Sequence, residues 1–210
     1  MNDSKIDHRI HYIIMTDTET CNTICIDGKL DMTNVFIYDM GWQVTDKRGI
    51  VYEEKSYFVK EIFFGEKDLM QSAYYANKIP KYMEQIANGE RVVKTWKQIS
   101  FILRKVLEEF DINVVVAHNA RFDYSALTAT QRYLTKSKYR YFFPYGIEIW
   151  DTLKMAKDTI CKQKTYIKWA TENGYTMKNG TPRATAEILY RYIYFLRFFQ
   201  VCKDNNRPSF

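Results

Sequence analysis

Three consecutive valines, Val114-Val115-Val116, constrain this chain more than any other stretch of it. A half-exposed strand alternates apolar and polar residues, so a short unbroken β-branched run predicts a strand covered on both faces. Helices on either side of a sheet supply that cover, and the run therefore points to an α/β architecture.

The other segments agree with it. Ile10 to Thr16 reads as a buried strand that ends in acidic and hydroxyl residues. Val35 to Val44 and Ile50 to Val59, joined by the polar turn Asp46-Lys47-Arg48-Gly49, read as a hairpin of two long strands. Glu66 to Ala87 is helical in pattern, with Pro80 placed to end or kink one helix and Gly89 to stop the next. Trp96, Ile99, Leu103, Val106, Leu107 and Phe110 recur at three- and four-residue spacing, the stripe of an amphipathic helix. Ala120 to Leu134 is helical, and Gly146 to Trp150 is a candidate fifth strand. Helices resume over Asp151 to Cys161, Tyr166 to Asn173 and Arg183 to Tyr192. The predicted fold is one mixed five-stranded sheet, its first three strands antiparallel, flanked by helices. With 210 residues including 17 Tyr, 13 Phe and 4 Trp, such a domain has core enough without disulfides.

Charge narrows the function only weakly. A net charge of +6 suits an anionic partner and equally an ordinary soluble protein. Apolar runs such as Phe195 to Val201 are short and interrupted by Arg197, so no membrane partner is expected. The polar opening MNDSKIDHRI has no apolar signal core, which predicts a cytoplasmic protein. Cys21, Cys25, Cys161 and Cys202 are then expected as free thiols, without the spacing of a zinc site.

Two acidic stretches carry the chemistry. In Thr16-Asp17-Thr18-Glu19-Thr20, Asp17 and Glu19 are two apart, so on a strand both carboxylates project from one face. Carboxylates so close repel one another unless a cation lies between them, and oxygen-only ligands suit Mg²⁺ or Mn²⁺. The plainer alternative is a polar strand end leading into a loop. In Ala117-His118-Asn119-Ala120-Arg121-Phe122-Asp123, Asp123 falls where the valine strand gives way to a helix. Sites of α/β sheets lie outside such strand ends, although an Asp there also simply favours a helix N-terminus.

Together, Asp17-Thr18-Glu19-Thr20, His118-Asn119-Ala120-Arg121-Phe122-Asp123 and the later Trp150-Asp151-Thr152-Leu153 resemble the motifs of the DEDD (DnaQ-like) 3'-5' exonuclease family, of ribonuclease H-like fold. The likeness runs from about Ile10 to Tyr192, implying a domain over 1–192 and an atypical tail over 193–210. What it implies is two-metal hydrolysis of phosphodiester bonds at the 3' ends of single-stranded DNA or RNA, in a bacterial or phage-infected cytosol. Asp17, Glu19 and Asp123 would be the catalytic metal ligands, Asp17 shared by both ions. Thr18, Thr20, Asn119 and Phe122 would adjoin the substrate, with core packing the plainer role for Phe122.

The third motif of that family, H-x4-D or Y-x3-D, is not found. The three histidines are His8, His11 and His118, none after Asp123, and neither spacing is met before Asp151, Asp158 or Asp204. Pro182 to Glu187 is the nearest likeness, with Glu187 in place of the Asp; the alternative is that the chain ends before the motif. With three ligands instead of four, one Mg²⁺ or Mn²⁺ is expected rather than two. The second functional reading is a catalytically inactive nucleic-acid-binding module of the same fold. His8 and His11 are expected at the surface. The base- and aromatic-rich tracts Tyr133 to Tyr141 and Lys162 to Lys168 suit either a single strand or water. Oligomeric state is left open.

Overall fold

The computed structural model describes residues 6–22, 25–26, 29–138, 140–193 and 196. Strand β1 (Tyr12–Cys21) is followed by a small hairpin, β2 (Cys25–Ile26) and β3 (Lys29–Leu30), and then by β4 (Phe36–Asp46) and β5 (Val51–Val59). Short helices α1 (Lys60–Phe63) and α2 (Lys67–Gln71) and a 3-10 turn lead to α3 (Ile79–Ala87). Next come β6 (Val92–Lys94), α4 (Trp96–Glu109), β7 (Val114–Ala117), α5 (Ala120–Thr135) and β8 (Glu148–Asp151). Helices α6 (Thr152–Asp158) and α7 (Lys164–Glu172) follow, and a further helix covers 186–193.

One mixed sheet runs in the order β6-β5-β4-β1-β7-β8. The β1–β4 and β4–β5 pairs are antiparallel, as the sequence predicts, and β7 lies parallel to β1, with Ile14 opposite Val115 and Met15 opposite Val116. Three details differ from expectation. The sheet has six strands, not five, because Val92-Val93-Lys94 pairs parallel with Tyr57-Phe58-Val59, a segment too short to show periodicity. Strand β1 does not end at Thr16: its alternating burial continues to Thr20 and the strand to Cys21, so Asp17 and Glu19 lie within it. Pro80 begins α3 rather than ending a helix, since the first turn needs no N–H from it.

The chain divides into two compact units, 1–150 and 151–210. The first packs helices around the sheet through Ile14, Ile37, Met40, Phe58, Ile62, Ile99 and Leu127, all 1% exposed or less. The second is held by an aromatic cluster of Tyr166, Trp169 and Tyr192, in which the Tyr192 hydroxyl bonds Thr165 Oγ1 at 2.9 Å. Of the tail, only Ile193 and Leu196 fall among the described residues, so the expected atypical C-terminus, Asp204 with it, lies outside them. No helix among the described residues is long and apolar enough to cross a membrane.

Candidate active site

The alternation of β1 decides where its acids point. Tyr12, Ile14, Thr16, Thr18 and Thr20 are buried on one face; Met15 and Asp17 are exposed and Glu19 half-buried on the other. Cross-strand pairing then places Asp39 of β4 opposite Glu19 and Gly41 opposite Asp17. At this level the register shifts between Glu19 and Thr20, leaving Tyr38 as an extra residue in β4; such bulges re-aim side chains beside sites. A cavity of about 160 Å³ opens here, lined by Asp17, Thr18, Glu19, Asp39, Gly41 and Ser56.

Asp123 arrives from the other motif. Parallel β7 delivers the chain to His118 and Asn119, and Asn119 takes the left-handed conformation (φ 67°) that an Asn tolerates better than most residues. The chain thereby turns into α5, where Asp123, in the first turn, is 5% exposed. Thr18, between the two acids of β1, donates its hydroxyl to Asp123 Oδ1 at 2.7 Å. Two segments 105 residues apart are thus joined by one short bond.

The electrostatics follow from crowding and burial. Burial pushes the Asp123 carboxyl up to about 6; the Thr18 bond opposes this and the charge of Asp17 adds to it. Burial likewise raises Glu19, Asp17 and Asp39 raise it further, and Lys78 and Arg91 act against them. Asp17 therefore bears on both other acids. A hard divalent cation fits this donor set chemically, because every candidate ligand is an oxygen and the like charges need neutralising. Among the described residues, however, no three Asp, Glu, His or Cys side chains stand in a group that could hold a metal ion.

The remaining predicted residues are placed as follows. Thr20 is buried, with Thr18, on the face opposite Asp17 and Glu19. Phe122 is half-buried against the core, as the plainer reading has it. Asp151 caps α6, its carboxylate accepting from the Leu153 and Lys154 amides at 2.9 and 3.3 Å. Glu187 is exposed and bonded to Arg191 at 2.7 Å. His8 and His11 are exposed. Lys162 pairs with Asp158 and Lys168 with Glu172, all with exposed side chains, the solvated alternative for that tract.

Sequence reasoning missed the acid at position 39 and its partners. Asp39, 8% exposed, is paired with Arg91 and accepts from Ser56 Oγ at 3.2 Å. The Arg91 guanidinium also lies 4.5 Å from the Phe58 ring centre. Only the β4 register could have linked Asp39 to Glu19, and Arg91 sits in what reads as a polar loop.

No family model matches the chain, and no curated protein does either. Solved structures do. Escherichia coli exonuclease I in complex with a dA16 oligonucleotide superposes with a TM-score of 0.52 at 12% identity, over 86% of this chain and 35% of that one. The same exonuclease with a 5cy-dT13 oligonucleotide gives 0.52 at 12% identity, over 87% and 35%. A product-bound exonuclease I gives 0.50 at 12%, over 87% and 38%. At such identities the likeness establishes the fold, ribonuclease H-like with a mixed sheet. The chain spans little more than a third of the proteins it matches.

Proposed function

We propose that this chain is a metal-dependent 3'-5' exonuclease of the DEDD type, hydrolysing phosphodiester bonds at the ends of single-stranded DNA or RNA. The observation that carries the reading is the Thr18–Asp123 bond, which brings the second acidic motif to the first on a sheet of exonuclease-like topology. Asp17 is the central ligand in this scheme, Glu19 its partner on the open face, and Asp123 the ligand of a second position. A bound Mg²⁺ or Mn²⁺ would supply an activated water and neutralise charge on the phosphate. The protein's own contribution would be to hold Asp123 beside β1 through Thr18, at a cost in desolvation. Asn119 shapes the turn that presents Asp123, and Thr18 orients its carboxylate. Thr20 and Phe122 support the site from the buried side. The free thiols of Cys21 and Cys161 are compatible with a cytoplasmic setting.

A second reading, a binding module without catalysis, is favoured by the missing third motif. No histidine follows Asp123, and Glu187 is engaged by Arg191. Losing a positioned base typically costs about 10²- to 10⁴-fold in rate. Digestion of a 5'-labelled oligonucleotide with Mg²⁺ or Mn²⁺ separates the two. A ladder shortening from the 3' end, absent in Asp17→Ala, is expected for the exonuclease; equal background from both proteins would reject it.

A further inference from the structure

Charge is divided unequally between the two units. Of the 31 Lys and Arg residues, eleven lie in 151–210, against five of the 25 Asp and Glu. That unit therefore holds the whole net charge of +6, and residues 1–150 sum to zero. The division matters for an anionic ligand. The unit that carries Asp17, Glu19 and Asp123 repels phosphates at its candidate site and has no surplus of cations to offset the repulsion.

Within the second unit, the described acids are all occupied. Asp151 caps α6, Asp158 pairs with Lys162, Glu172 with Lys168 and Glu187 with Arg191. Lys154, Lys157, Lys164, Lys178 and Arg183 are exposed, and their side chains have no ion-pair partner among the described residues. Lys154 and Lys157 are three apart on α6, so they share a face. Lys164 opens α7, and Arg183 is brought to the same turn because the Tyr166 hydroxyl donates to the Arg183 carbonyl. Lys178 lies in a turn closed by the Met177 amide on the Thr181 carbonyl at 2.8 Å, whose arms meet at the Thr176–Pro182 bridge. The helix over 186–193 is tied to α7 by the Tyr192–Thr165 bond and presents Tyr190, 70% exposed.

We propose that the unit 151–210 binds single-stranded nucleic acid through its phosphates, with these five cations as the contacts and Tyr190 as a ring for a base. Unpaired cations spread over several short elements suit the repeating charge of a sugar–phosphate chain, and such binding is independent of sequence. An anionic membrane fits less well. Helix α7 turns its aromatic face, Tyr166 and Trp169, into the unit's own cluster, whereas an interfacial helix keeps that face for lipid. The assignment goes beyond the exonuclease reading by separating grip from cleavage, and rests on it only in calling the bound strand a substrate.

The test uses the full chain in EDTA, where hydrolysis is silent, and the anisotropy of fluorescein-labelled dT12. Lys154→Gln/Lys157→Gln/Lys164→Gln/Lys178→Gln, at four exposed positions, is expected to weaken binding at least about tenfold and to lower the slope of log affinity against log salt by roughly 2.8, at ~0.7 per phosphate contact. Arginine at the same four positions should keep both. Lys47→Gln/Lys60→Gln/Lys67→Gln/Lys97→Gln removes the same charge from exposed positions of the first unit and should stay within about twofold of wild type. Tyr190→Leu should weaken binding with the slope unchanged. An unchanged urea midpoint in each variant shows that the fold is kept. Equal losses from the two glutamine variants would reduce the effect to net charge and overturn the proposal. Displacement of dT12 by polyglutamate as readily as by unlabelled dT12 would overturn it too, as would sedimentation with phosphatidylserine vesicles without binding of dT12. Laddering is read separately with Mn²⁺, so its absence leaves this result standing, and a failure here leaves the exonuclease reading standing.

Discussion

At the scale of single residues, the site is a place where stability is given up. A carboxyl whose folded value lies above its unfolded value takes up a proton on folding, so the stability linked to it is present at low pH and lost as pH rises. For Asp123 the window runs from the ordinary value of 3.8 to about 6. Above that window the cost in metal-free protein is at most about 3 kcal/mol, from 1.36 kcal/mol per pH unit. Asp123→Asn keeps an oxygen for Thr18 and removes the charge. In EDTA it should match wild type near pH 4 and exceed it by about 1–3 kcal/mol at pH 8, as read from urea unfolding. Asp17→Ala should lower the pKa of both Glu19 and Asp123 in a carboxyl NMR titration, while burial keeps both above their ordinary values. Neither moving would show that the three acids do not share one field. Arg91→Ala leaves the Asp39 carboxylate buried without its cation and should cost roughly 1–3 kcal/mol at neutral pH in the same unfolding measurement. The acids at 17, 19 and 123 were legible because each motif is contiguous in sequence. Asp39 and Arg91 were not, because their meaning comes only from pairing across strands.

At the scale of elements, the long periodic segments were the readable ones. Helix α4 shows its stripe from Trp96 to Leu107 and opens with Thr95, whose hydroxyl accepts from the Gln98 amide at 3.3 Å, with the Gln98 side chain reaching back at 2.9 Å. Strand β7 is the valine run itself. What escaped was short or ambiguous. Three residues of β6 carry no period, and the polar alternation after Thr16 reads as a strand end until its threonines are seen to be buried. The element that matters most for the site is α5, because it carries Asp123. It is fastened to β4 through Thr130, whose hydroxyl donates to the Ala126 carbonyl at 2.8 Å and accepts from the Ile37 amide at 2.9 Å, fully buried. Thr130→Val preserves shape but leaves the Ile37 N–H unpaired, so a loss of about 1–3 kcal/mol is expected in urea unfolding. A loss below a few tenths would mean that this bond does not hold the helix.

At the scale of the whole molecule, the α/β class and the antiparallel start of the sheet followed from the order of apolar runs, because one sheet with helical cover is the arrangement that buries them all. The division into units 1–150 and 151–210 left no mark of that kind, since no Pro- or Gly-rich linker separates Trp150 from Asp151. The proposed exonuclease activity depends on Asp17, Glu19 and Asp123 acting as one cation site although they come from two motifs. With three carboxylates the cluster carries a formal charge of about −3, which one divalent ion nearly neutralises and a second would reverse until a phosphate arrives. Calorimetric titration of the free protein with Mn²⁺ reads this directly. One weak site, lost in Asp17→Ala, is expected; Mn²⁺ binding unchanged by Asp17→Ala would rule out a shared cation site.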